Sequence, residues 1–314
     1  MKRIIIYLAI TFALTYALEI LIVIPIATGT GMGSALNAPP MAVQLITGTM
    51  MFIPAIGVLL TRIVTKEGFK NSMIKPVNFR HTFKYYLIAW FGPAALTVIG
   101  AVVYFLVFPQ DFDPTMSSAL LLLEQTTVAQ GGAALPLDVM QMMLWVQIAV
   151  GVLLSPVLNF LTCFGEEWGW RGYLLPKVYE KLPFIPTVLI TGVIWGLWHA
   201  PLTVIGHNYG VGYPGWPFLG IFAMCIFCTV LGALFSYLTL KAKSCLPAVI
   251  GHGAVNGFVS AAVFFSVSGG NAFIGPMPIG IIGGIGFIAA AVVCCVLMRR
   301  DEKRKLAEPI SANA

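Results

Sequence analysis

Two adjacent glutamates, and an arginine four residues after the second, stand in the run CFGEEWGWRGYLLP as Glu166, Glu167 and Arg171, at the end of more than twenty apolar residues. Residues four apart share a helix face, so Glu167 and Arg171 form an ion pair provided the helix continues beyond Cys163. Glu166 then points about 100° away around the axis. Two carboxylates with one dedicated cation leave Glu166 to another partner, the condition of a candidate general base. In ITGVIWGLWHAP, His199 follows Trp195 by four residues and precedes Pro201. Its imidazole can act as a base partner, a proton shuttle or a metal ligand. In GHGAVNG, His252 and Asn256 share a helix face, and both can donate to one oxygen atom. Paired donors of that kind resemble an oxyanion site, which acyl-transfer chemistry needs.

Each cluster also has a plainer reading. An EE…R group at a helix end is often an interfacial ion pair. A histidine in a membrane helix is often a hydrogen-bond partner for a neighbouring helix. Trp168, Trp170, Trp195 and Trp198 serve as interface belt, as packing, or as walls of a substrate groove, with Trp195 and Trp198 the groove candidates. His207 in GHNYG and His81 in the basic loop read as solvated polar residues, and Cys225 and Cys228 as small packing residues. None of the six cysteines falls in an outer loop, which argues against a disulfide framework. Joint occurrence decides: ionisable side chains concentrate on three segments, while the rest of the apolar sequence offers almost only Glu19. Glu19 faces either a polar partner inside the bundle or a water-accessible crevice.

The elements that must position these groups are membrane helices. Hydrophobic residues make up 59% of the 314 and charged residues 10%, with a mean hydropathy of +0.91. Those values exclude a soluble globular protein. Eight apolar stretches reach the length of roughly 20 residues needed to cross hydrocarbon, near 4–27, 41–63, 85–108, 139–163, 184–205, 216–239, 245–266 and 273–298. The fold class expected is therefore an all-α polytopic membrane protein of about eight transmembrane helices, with the catalytic core on the fourth, fifth and seventh. The apolar run after MKR outlasts a signal-peptide core and reads as a retained helix. All 18 Lys and Arg residues fall on one side of that arrangement, which makes that side, and both termini, cytoplasmic. The net charge of +6 reflects orientation and anionic lipid, with no nucleic acid required.

Small-xxx-small pairs at Gly165 and Gly169, Gly192 and Gly196, and Gly253 and Gly257 accompany the three polar clusters, an arrangement expected where the fourth, fifth and seventh helices meet. A depth mismatch opposes it. If the fifth helix starts at 184, His199 lies about 22 Å along its axis, so either that helix starts later or Glu166 sits deeper, or both. The outer loop 109–138 is expected to contain an amphipathic helix, and the polar tail after Met298 to fray. Three regions follow: 1–138 with the first three helices and the outer loop, 139–266 as the catalytic core, and 267–314 with the last helix and tail.

The motifs E-E-x-x-x-R (Glu166, Glu167, Arg171), aromatic-x-x-x-H (Trp195, His199) and H-x-x-x-N (His252, Asn256) resemble, in order, those of the CPBP family of intramembrane proteases. That family includes CAAX prenyl endopeptidases of the Rce1 type and the Abi proteins. The likeness covers roughly 140–260 and departs from the family at Trp195, where Phe is usual. It implies that Glu166 and His199 activate water, that Glu167 and Arg171 orient the site, and that His252 and Asn256 stabilise the oxyanion. The N-terminal helices show no match and vary in that family, so the resemblance does not carry over the substrate; a membrane-associated or lipidated peptide or protein, in a bacterial or archaeal plasma membrane, is expected. Zinc held by Glu166, His199 and His252 is the possible cofactor, although no H-E-x-x-H is present and a glutamate and histidine can activate water without metal. Competing readings are a non-proteolytic scaffold or bacteriocin-immunity protein of the same fold, and a proton-coupled transporter.

Overall fold

The computed structural model describes residues 1–30 and 46–307. The expected loop at 28–40, the start of the second segment at 41–45 and the end of the tail lie largely or wholly outside the described residues. Every regular element among the described residues is a helix, apart from isolated bridges between Phe112 and Ser266 and between Asn271 and Gly275. The all-α polytopic architecture is therefore present.

Among the described residues five helical runs are long and apolar enough to cross a membrane: α1 (Lys2–Thr28), α2 (Ile46–Val64), α3 (Phe79–Val107), α11 (Phe218–Ala242) and the run Leu246–Phe265, whose α-helical part is α12 (Leu246–Phe258). Two shorter apolar helices are α5 (Leu137–Leu153) and α9 (Phe184–Trp198). The outer loop contains a helix, α4 (Ser117–Ala129), but its leucines run consecutively from Leu120 to Leu123 with Leu121 and Leu122 exposed, so it lacks the expected amphipathic pattern.

The fourth expected helix is broken into α5, α6 (Ser155–Leu158) and α7 (Phe160–Gly169). Pro156 supplies the break, since it lacks an N–H and its ring clashes with the preceding turn. A π turn over Trp170–Leu174 then leads into α8 (Leu175–Tyr179). A second π turn interrupts α1 at Glu19–Val23. Each ends two residues before a proline, Pro176 or Pro25, so the widened turn sits where the i→i−4 ladder fails. The fifth expected segment is likewise divided, into α9 and the short α10 (Ala200–Val204).

The last expected helix is displaced. It forms as α13 (Ile285–Ala307), while 273–284 is wound into turns. The stretch after Met298 is helical to Ala307 rather than frayed. Its Asp301 pairs with Lys241, and Glu302 accepts the backbone N–H of Phe184 at 2.7 Å.

The chain divides into two units. The first holds 1–85, 162–249 and 288–314. Its core includes Phe184, Val188, Ala233, Ala291 and Met298. In it α9 lies along α11, because a Cβ on Gly192 would come within 2.5 Å of Thr229 Cα and one on Gly196 within 2.4 Å of Cys225 Cα. The second holds 86–161 and 250–287. There Gly257 and Gly253 bring α12 against Ser155 and Pro156. Buried Asp111 ties the outer loop to the 266–268 turn, accepting Tyr104 Oη at 3.0 Å, Ser266 Oγ at 2.6 Å and the Ser268 N–H at 2.8 Å.

These contacts correct the reading of the glycine pairs. Gly165 and Gly169 admit Phe52, Pro54 and Tyr7 from α2 and α1, and Gly192 and Gly196 admit α11. Only Gly253 and Gly257 meet part of the expected partner, the broken fourth helix. The spacing announces a close neighbour without saying which helix it is.

Candidate active site

The paired glutamates lie on α7 and the arginine just beyond, in the π turn. All three are buried, at 1% exposure for Glu166, 0% for Glu167 and 4% for Arg171. Arg171 Nη1 donates to Glu167 Oε1 at 2.9 Å, the expected i,i+4 pair. Buried charges are tolerated only with good pairing, and here the guanidinium is also stacked: its Cζ lies 4.0 Å from the Trp195 ring centre and 5.4 Å from that of Phe235. Gly232 leaves room for it, since a Cβ there would stand 3.2 Å from Arg171 Nη2.

Trp195 joins this pair to the rest. Its indole N–H donates to Glu166 Oε1, and its ring lies 5.9 Å from the His199 imidazole one turn on. Trp195, where the family its motifs resemble usually has Phe, thus adds a hydrogen-bond donor aimed at the candidate base. His199 Nδ1 lies 2.9 Å from the Trp195 carbonyl oxygen. A carbonyl only accepts, so Nδ1 carries the proton and Nε2 is the basic nitrogen.

The depth mismatch also resolves here. The fifth helix does begin at Phe184, so the expected later start is not seen. Instead the path from Glu166 runs helically down to Tyr179, thirteen residues on, and α9 climbs eleven residues back from Phe184 to Trp195. At 1.5 Å per residue the two runs span similar lengths of roughly 20 Å and 17 Å, which returns Trp195 to the level of Glu166.

Trp198 and Trp195 are both buried, at 2% and 3% exposure. Trp198 Nε1 donates to Thr15 Oγ1 at 2.8 Å and its ring meets Trp170 edge-on at 5.9 Å, so it fastens α9 to α1. His252 and Asn256 lie four residues apart on α12, in the second unit, with His252 7% exposed and Asn256 exposed. The first unit therefore brings together Glu166, Glu167, Arg171, Trp195, Trp198 and His199.

Two further residues join that cluster. His207 stacks parallel on His199, with ring centres 5.9 Å apart, a contact no local pattern announces because the intervening chain leaves the helix. Tyr7 is wholly buried, with its ring 5.1 Å from Tyr173 and 5.9 Å from Trp170. A Cβ on Gly169 would stand 2.5 Å from its hydroxyl. Here a signal did exist: Tyr7, Thr11, Thr15 and Glu19 recur every four residues along α1, and all four are fully buried.

Among the described residues no group of three or more His, Cys, Asp or Glu side chains is gathered to hold a metal ion. Glu166 Oε1 accepts from Trp195 and His199 Nδ1 faces a carbonyl, and no step is assigned to a metal.

Just beyond α2, Glu67 accepts Lys177 Nζ at 2.5 Å and Tyr173 Oη at 2.8 Å, with Arg3 at 3.7 Å. Burial alone would raise its carboxyl, but the hydrogen bonds from Lys177 and Tyr173 and the charges of Lys177 and Arg62 outweigh it and hold the group below the ordinary carboxylate range.

No curated protein matches the chain. Residues 147–258 match the family described as type II CAAX prenyl endopeptidase Rce1-like. That stretch contains Glu166, Glu167, Arg171, Trp195, His199, His252 and Asn256, and it is similar to the family type that its three motifs resemble.

Proposed function

We propose that the protein is an intramembrane endopeptidase that hydrolyses a peptide bond in a membrane-associated or lipidated peptide, with Glu166 as general base. One observation supports this most: a buried carboxylate, Glu166, is joined through Trp195 to a histidine whose basic nitrogen is Nε2. Glu166 takes a proton from water, and the hydroxide adds to the scissile carbonyl carbon. His199 Nε2 accepts the water's other O–H and steadies it, and Glu166 returns its proton to the leaving amine as the tetrahedral intermediate collapses to acid and amine. Glu167 and Arg171 hold the Trp195 face and the α7 turn in place. The family resemblance gives His252 and Asn256 the stabilisation of the oxyanion.

Cleavage of a lipidated peptide by the purified protein, compared with the Glu166→Gln, His199→Ala and Asn256→Ala variants, tests the assignment. Removing the base or its histidine lowers kcat by about 10²–10⁴-fold, and removing one oxyanion donor by about 10²–10³-fold. Full activity in Glu166→Gln rejects the mechanism. Activity lost to a chelator and restored by zinc rejects its metal-free form.

A further inference from the structure

Between α2 and α3 the chain runs through a wound segment in which Lys66, Asn71, Met73 and Asn78 all hold positive φ, from 45° to 57°. Asparagine tolerates that conformation, but Lys66 and Met73 adopt it only when their surroundings hold them there. The constraint is visible: Trp168 Nε1 donates to Ser72 O at 3.1 Å, and the Cys245 N–H donates to Met73 O at 2.7 Å. The segment is thereby fixed against α7 on one side and the turn after α11 on the other. Together they enclose a cleft of about 830 Å³ in the first unit.

Three lysines line it from two separate segments, Lys70, Lys75 and Lys243. Lys243 stands in a left-handed C-cap at φ 53°, a position usually given to glycine. No carboxylate is among the lining residues, and the nearby Glu67 is already engaged by Lys177, Tyr173 and Arg3. Like charges lining one cleft repel, and an anion relieves that repulsion. The same segment exposes Phe69, Ile74 and Val77 at 56%, 37% and 36%. Lysines beside exposed apolar side chains, in a protein with membrane-crossing helices, match the boundary between headgroups and acyl chains.

We propose that the cleft formed by Lys70, Lys75 and Lys243 binds the phosphate headgroup of an anionic phospholipid, with Phe69, Ile74 and Val77 resting in the adjoining acyl region. A lipid seated there contacts Trp168, the residue after Glu167, and steadies α7. Binding requires no protease activity, so this assignment stands or falls apart from the proposed function.

The test compares full-length protein in nanodiscs of phosphatidylcholine alone and of phosphatidylcholine mixed with phosphatidylglycerol, reading the thermal midpoint and the lipid retained in native mass spectrometry. Wild type gains midpoint and retains phosphatidylglycerol in the mixed discs. The Lys70→Gln/Lys75→Gln variant, and the triple variant with Lys243→Gln, match wild type in neutral discs but lose most of that gain, with affinity falling about fivefold per lysine. A Lys303→Gln/Lys305→Gln variant, altered in the basic tail, keeps the gain. Should the triple variant fail to fold in neutral discs, the double variant decides. An undiminished gain in the double variant, an equal loss in the tail variant, or an equal gain from inorganic phosphate in neutral discs overturns the proposal.

Discussion

At the scale of single residues, Trp195 has the most to do. Its N–H reaches Glu166, its face carries Arg171, and its carbonyl fixes the His199 tautomer. Trp195→Phe keeps the ring and removes the donor, leaving one buried carboxylate oxygen short of a hydrogen bond to a charged group, worth about 1.5–3 kcal/mol. The expected outcome is a loss of that size in denaturant unfolding, with the proposed cleavage retained because Phe is usual at that position in the family the motifs resemble. Glu167→Gln, by contrast, strips a buried guanidinium of its counter-charge. It should destabilise by about 3–5 kcal/mol, and a Glu167→Leu/Arg171→Met double variant should recover most of that loss, as a double-mutant cycle would reveal.

At the scale of elements, backbone approach decides which helices meet. Gly192→Ala places a Cβ 2.5 Å from the Thr229 backbone, so α9 and α11 must separate. A destabilisation of about 1–3 kcal/mol follows from overpacking of this kind. Gly48→Ala, which meets nothing within 4 Å, should be neutral or stabilising by up to about 1 kcal/mol. Thermal melts of the two variants measure the contrast directly. Much at this scale was readable in the sequence: the apolar runs, the i,i+4 pair of Glu167 and Arg171, and the helix in the outer loop. Pro156 carried the signal for the broken fourth helix, yet a continuous apolar run masked it. The partners of the glycine pairs and the stacking of His207 on His199 were not readable, because each depends on which segments fold back together.

At the scale of the whole molecule, the membrane-crossing character follows from composition, and residues 147–258 carry the family likeness. Stability against acid is set outside the hydrocarbon. Glu67 is held below its ordinary range, and so is Asp111, where burial is outweighed by the bonds from Ser266, Ser268 and Tyr104. For a carboxylate with a depressed folded pKa, the stabilisation is fully present above the unfolded value, about 4, and is lost as pH falls through the lower folded value. The thermal midpoint of wild type should therefore drop below about pH 4, and a Glu67→Gln variant should show a shallower drop from a lower starting point. Equal acid slopes for the two proteins would count against this role for Glu67.

The contact between Arg171 and Trp195 has an optical consequence as well. A positive charge over an indole face displaces its emission, and the chain has seven tryptophans. Subtracting the fluorescence of Trp195→Phe from that of wild type isolates a ring that touches both the guanidinium and the Glu166 carboxylate. That difference spectrum is a label-free lamp inside the candidate site, and its colour should change when a peptide arrives.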